Sequence, residues 1–200
     1  VGGGVGVVVD GCPSGHVFDL SAIQAQLDRR RPGQSRLTSP RDEKDRVEVL
    51  SGVDPDTGKT LGTSIAMLVR NENQKSKDYG NLASLYRPSH ADYTYEAKFG
   101  LRAVAGGGRA SARETAARVA AGAVARAFLR ELGIEVWSFT AEVGGVAIDP
   151  VRATRSRDEA DASPLRCPDP EAEAAMVARI DEARSSGDTV GGVFEVVAHG

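Results

Sequence analysis

Cysteine is nearly missing from this 200-residue chain: Cys12 and Cys167 are the only two, and neither belongs to a CxxC pair. That excludes a disulfide framework and a cysteine zinc site, and it suggests reduced thiols in a cytoplasmic setting. Histidine is almost as scarce. His16, His90 and His199 are far apart and lack metal-ligand spacing, so a metal site is not expected. No uninterrupted run of about 18 apolar residues occurs, which excludes a membrane-spanning helix. The apolar start at residues 1–9 is short and has no basic flank, so it does not read as a signal peptide. Net charge is small as well, at -3. What remains is a hydrophobic content of 40%, enough for one good core or two small ones.

The charges are few in sum but unevenly placed. Residues 87–130 carry eight basic side chains against three acids, whereas residues 158–188 carry nine acids against three arginines. A basic middle beside an acidic end points to a local anion site, while the acidic stretch reads as a solvated face.

Along the chain, residues 4–10 read as a buried strand closed by a turn, and Ser21 reads as the cap of a helix to about residue 31 with Ile23 and Leu27 on one face. Residues 33–44 form a long polar loop. Strands at 46–50 and 62–70, joined by a turn over 54–59, make a hairpin. The strongest helix signal spans 111–132, where Ala116, Val119, Ala120, Ala123, Val124, Ala127 and Phe128 recur at three and four residues. Its alanines let neighbouring backbone come close, which places it deep in the fold. A strand at 134–143, a helix begun by Asp169-Pro170-Glu171 and lasting to about 186, and a strand at 190–198 complete the pattern. Strands and helices do not alternate strictly, so the expected class is α+β, arranged as a single domain over 1–200.

Three segments carry chemistry. The first runs from Gly106-Gly-Gly through Arg109, Ala110, Ser111 and Arg113 into the alanine-rich helix. Its glycines let backbone approach a ligand, the helix start favours an anion, and the arginines add charged donors. The alternative is a tight turn packed against a neighbour. The second has four arginines within residues 29–36, among them Arg30 and Arg36. Arginine holds phosphates and carboxylates bidentately. A solvated basic surface is the plainer reading, and a nucleic-acid contact is opposed by Asp28, Asp42, Glu43 and Asp45, which would repel a phosphate backbone. In the third, residues 86–95, His90 is a candidate acid, since unperturbed imidazole titrates near pH ~6.5. Asp92 and Tyr86, Tyr93 and Tyr95 are candidates to orient it, and a structural histidine is the alternative. His16 and His199 read as structural.

Taken together, VGVVVDGCPSG at 5–15, LDRRRPGQSRLTSPR at 27–41, RPSHADYTYEAKFGLR at 87–102, GGGRASARETAARVAAGAVA at 106–125 and CPDP at 167–170 resemble the chorismate synthase family over nearly the whole chain. The resemblance implies a layered β-α-β sandwich of the α+β class, with central helices between antiparallel sheets, assembled as a homotetramer in the cytoplasm. It implies a carbon-oxygen lyase of the shikimate pathway, serving aromatic amino-acid biosynthesis. The reaction is a 1,4-anti elimination of phosphate from 5-enolpyruvylshikimate-3-phosphate to chorismate, with reduced FMN required and NADPH used by members that reduce their own flavin. By position, His90 matches one of two catalytic histidines. Arg30, Arg36, Arg87 and Arg113 match substrate-facing arginines; Arg109, Ala110 and Ser111 match the flavin loop; and Arg30 and Arg36 also match positions for NADP. Neither a metal nor nucleic acid nor a membrane is implied.

The sequence departs from that pattern at several points. The family's Gly-Glu-Ser-His-Gly motif would place its other catalytic histidine at Val1, and a later Arg-Ser-Asp segment has no counterpart here. The usual Arg-Ser-Ser reads Arg-Ala-Ser at Ala110, and Pro-Gly-His reads Pro-Ser-His at Ser89. The expectation is therefore that these 200 residues alone are inactive. A non-catalytic remnant that binds flavin or anions is the alternative.

Overall fold

A computed structural model describes residues 3–30, 45–71, 84–88, 90–104, 108–149 and 156–200. The chain divides into two compact units, Val1–Gln34 with Thr38–Phe128, and Ser35–Leu37 with Leu129–Gly200. The expected loop at 33–44, with Arg36, lies outside the described residues, as do Ser89 and Gly106-Gly107.

In the first unit β1 (Gly4–Val9), β2 (Val47–Ser51) and β3 (Ile65–Arg70) form an antiparallel sheet in the order β1-β3-β2. Period-2 alternation puts Ile65, Met67 and Val69 of β3 inward. Strand β1 was expected to be buried throughout. Instead it buries Val5, half-buries Val7 and Val9, and leaves Val8 open, because successive side chains of a strand point to opposite faces of the sheet. The hairpin is present, and its turn is tied by Asp54, whose carboxylate accepts the N–H of Asp56 at 2.8 Å and of Thr57 at 3.2 Å. Gly52, at φ +84°, fits where a Cβ would come within 2.7 Å of Ile65 Cα.

Helix α1 (Leu20–Arg30) buries Ile23 and Leu27, as the spacing predicts. Its cap is Asp19 and not Ser21. The Asp19 carboxylate accepts the N–H of Ser21 and Ala22 at 2.9 and 3.0 Å, and the Ser21 hydroxyl donates to it at 2.6 Å. A carboxylate is the stronger acceptor, so the serine becomes its donor. A second helix, α2 (Asp92–Phe99), lies where the sequence reading placed no element, and Gly100 at φ 73° ends it. The alanine-rich helix α3 (Glu114–Glu131) starts three residues later than 111. The N–H groups of Glu114, Thr115 and Ala116 bond to the carbonyls of Ser111, Ala112 and Arg113, a tighter winding than α. Ala116, Ala120, Ala123 and Val124 of α3 share one core with Ile23, Leu27 and the inward residues of the sheet.

The second unit has its own antiparallel sheet in the order β5-β4-β6, from β4 (Glu135–Val143), β5 (Val146–Ala147) and β6 (Gly192–His199). Helix α4 (Arg157–Ala162) and helix α5 (Pro170–Ser185) accompany it. The signal at 169–171 holds: Asp169 Oδ1 accepts the N–H of Glu171 and Ala172, both at 3.1 Å. Phe139, Ala141, Ile148, Ala160, Cys167, Ala172 and Met176 make a separate core. There burial pushes the Cys167 thiol pKa up. Helices with antiparallel sheets in each unit give the α+β class. Among the described residues no helix is long and apolar enough to cross a membrane.

Candidate functional site

Two carboxylates buried in the first unit organise its arginines. The first is Asp45, whose side chain has no exposed surface. It sits just before β2 in a left-handed backbone conformation, φ 44°, so something other than backbone preference must hold it there. Arg30, from the last turn of α1, reaches it at 2.9 Å through Nη1, and Arg113, from the approach to α3, bonds its other oxygen. Gln24 of α1 donates to the Asp45 carbonyl at 3.2 Å.

The other guanidinium nitrogens of this pair each have a partner too, which leaves some of the five donors per group for a ligand. Arg30 Nε donates to Thr115 Oγ1 at 3.2 Å and its Nη2 to the Ala112 carbonyl at 3.2 Å. Arg113 Nε donates to Asn71 Oδ1 at 3.0 Å and its Nη2 to the Arg70 carbonyl at 3.1 Å. One acid thus brings two like charges together and ties α1 to the start of α3. Two guanidiniums on one carboxylate leave the group with a net positive charge, which suits an anion at its outer edge.

The second carboxylate is Asp92, at the first turn of α2 and 4% exposed. Arg87 grips it with both arms of its fork, Nε to Oδ2 at 2.8 Å and Nη2 to Oδ1 at 2.9 Å, and donates its backbone N–H at 3.0 Å. Arg102 reaches the same carboxylate at 3.2 Å, bridges Glu96 at 3.2 Å, and lies 5.0 Å above the Tyr86 ring. The Arg87 guanidinium, against the opposing cost of burial, holds the Asp92 carboxyl well below the usual carboxylate range.

His90 lies between Arg87 and Asp92 and is exposed. Its N–H donates to the Arg87 carbonyl at 3.3 Å, and its Nδ1 is 2.9 Å from the Pro88 carbonyl. Asp92, a candidate to orient the imidazole, grips Arg87 and Arg102.

The third cluster leads into α3. Gly108–Ala110 form a short 3-10 turn, and Gly108, at φ 53°, leaves no room for a Cβ against Ala103, 2.8 Å away. The Arg109 side chain is 75% exposed and pairs with Glu114 at 2.9 Å. Ala110 is exposed, and Ser111 is half-buried, its hydroxyl accepting the Arg113 N–H at 3.3 Å. The first amides of α3 are spent on carbonyls of this turn, so side chains and not helix amides are the donors here.

Of the residues singled out by sequence, the structure joins Arg30 to Arg113, and Arg87 to His90, and sets Arg109, Ala110 and Ser111 beside Arg113. Arg36 lies outside the described residues. His16 is buried, with its N–H on Thr60 Oγ1 at 3.1 Å and its ring edge-on to Phe128, a packing role as expected. Sequence reasoning missed Asp45, Arg102, Asn71 and Thr115. Asp45 had been counted only as one of four acids opposing nucleic acid.

What the fold and these clusters define is an α+β protein in which four arginines are gathered in two pairs on buried acids. The chain belongs to the chorismate synthase family, whose model matches residues 1–200. A chorismate synthase from Opitutus terrae is 51% identical over 200 residues, covering 100% of this chain and 54% of that protein. One from Synechococcus sp. (strain JA-2-3B'a(2-13)) is 53% identical over 200 residues, covering 98% of this chain and 52% of that protein. A crystal structure of chorismate synthase superposes with a TM-score of 0.76 at 33% identity, over 98% of this chain and 54% of that one. The chain therefore spans about half the length of the curated relatives it matches.

Proposed function

We propose that, in a polypeptide of its relatives' full length, these residues serve chorismate synthase chemistry: 1,4-anti elimination of phosphate from 5-enolpyruvylshikimate-3-phosphate to give chorismate, with reduced FMN. The observation that carries this reading is the gathering of one arginine pair on buried Asp45 and another on buried Asp92, the second bonded through Arg87 to the exposed His90. The substrate bears a phosphate and carboxylates, so several fixed guanidiniums suit it. In this reading Arg30, Arg36, Arg87 and Arg113 face the substrate's anionic groups, and His90 donates a proton.

Arg109 and Ser111 fit a flavin nucleotide as donors: an exposed guanidinium and a hydroxyl beside a turn that approaches closely at Gly108. Ala110 contributes backbone only. Reduced FMN, when bound, supplies electron density while phosphate leaves. Arg30 and Arg36 are the candidates for NADPH. A cytoplasmic homotetramer is part of the same proposal. So is the inactivity of these 200 residues taken alone.

Anaerobic incubation of the full-length protein with substrate and reduced FMN tests the reading. Chorismate should form, His90→Ala should lower kcat by about 100-fold or more, and the 200-residue chain should give none. Undiminished turnover in His90→Ala would overturn the assignment.

A further inference from the structure

We propose that Asp92 is a positioning residue, holding the turn that starts at Arg87 so that His90 gives up its proton from Nε2. This rests on the reading of His90 as a proton donor. Its geometric part is independent of that reading.

The Pro88 carbonyl lies 2.9 Å from His90 Nδ1. A carbonyl oxygen only accepts, so Nδ1 must carry the hydrogen in both the neutral and the charged ring. Nε2 is then the nitrogen that gains and loses a proton. On transfer the Nε2–H bond breaks, its electron pair stays on the ring, and the proton passes to a basic atom of the bound ligand. The ring left behind is the neutral Nδ1–H tautomer, which the Pro88 carbonyl stabilises. Neutral histidine free in water favours the opposite tautomer, so this preference has to be imposed by the turn.

What imposes it is the buried carboxylate. Asp92 accepts from the Arg87 backbone N–H at 3.0 Å and from both arms of the Arg87 fork, so Arg87 is held at backbone and side chain by one group. The His90 N–H closes the turn on the Arg87 carbonyl at 3.3 Å. Arg102 braces the carboxylate at 3.2 Å and is itself held by Glu96 and the face of Tyr86. Depression of the Asp92 pKa agrees with a carboxylate kept ionised by these arginines. The imidazole is thus oriented through the backbone, with its carboxylate partner one step removed.

The test is nitrogen NMR of the full chain labelled with 15N-histidine, the His90 signals being assigned by their loss in His90→Gln. Near pH 8 the wild type should show the Nδ1–H tautomer at His90. Asp92→Asn should shift it toward the Nε2–H form without altering His16. Arg102→Gln, which loosens the brace but leaves the turn intact, should shift it less in the same direction, and Asp92→Glu should restore part of the wild-type signal. In the full-length enzyme Asp92→Asn should lower kcat by about tenfold, and by nothing further in a His90→Ala background, as coupled residues do. An Nε2–H tautomer in the wild type, or one unchanged in both Asp92→Asn and Arg102→Gln, overturns the positioning role. The Nδ1–H tautomer together with unimpaired turnover in His90→Ala overturns the proton delivery alone.

Discussion

Asp92 shows how much one buried carboxylate can do at the scale of a residue. It caps a turn, pairs with Arg87 and Arg102, and is shielded from water. Its folded pKa lies below that of an unfolded aspartate, which is about 3.9. A carboxyl held low contributes stability that is complete above the unfolded value and is lost as pH falls toward the folded one. Asp92→Asn removes that contribution. The gap in urea midpoint between wild type and Asp92→Asn should therefore be constant above about pH 5 and narrow as acid is added below about pH 4. A gap that widens on acidification would mean that Asp92 is not ionised in the folded protein.

Asp45 acts at the scale of elements, because its two arginines come from different ones. Arg30 ends α1 and Arg113 precedes α3, so the pair of bridges fixes two helices that also share a core. Removing one member of a buried ion pair leaves charge without compensation, typically costing about 3–5 kcal/mol. Asp45→Ala should lose stability in that range by urea unfolding, and Asp45→Asn, which keeps a hydrogen-bond acceptor, should lose less. The elements themselves were largely legible in the sequence. Ile23 with Leu27, the alanine spacing of α3 and the Asp169-Pro170 start of α5 are local signals, and local physics decided them. Helix α2 escaped although it has a first-turn acid at Asp92 and a stop at Gly100, because Tyr93, Tyr95 and Phe99 give it no clean apolar stripe. In the site, the arginines and His90 were legible as residue types that bind anions and move protons. Their carboxylate partners were not. Asp45 lies 15 residues from Arg30 and 68 from Arg113, and pairings across such distances depend on the tertiary fold. The cap of α1 failed for a smaller reason, since both Asp19 and Ser21 are cap residues and only their relative acceptor strength separates them.

For the whole molecule, the two units have cores with no residue in common. The charge asymmetry follows the same division: the described arginines gathered on buried acids belong to residues 30–113, whereas the acidic stretch at 158–188 belongs to the second unit. The chain also carries separate optical reporters. Its single tryptophan, Trp137, packs 5.4 Å from Phe139 in the second unit. Tyr86 and Tyr93 stack edge-on at 5.6 Å beside Arg102 in the first. Separate cores do not guarantee one cooperative transition, and coincident probes are the test for it. Tryptophan fluorescence and near-ultraviolet tyrosine dichroism should therefore give different urea midpoints. Inorganic phosphate sharpens the comparison, because a ligand stabilises only what binds it. At a concentration 100-fold above its Kd it adds about 2.7 kcal/mol to the binding unit. Phosphate should raise the tyrosine midpoint and leave the tryptophan midpoint nearly in place. A tryptophan midpoint that rose in step would mean that the two cores unfold as one, and a tyrosine midpoint that did not move would remove the anion site from the first unit.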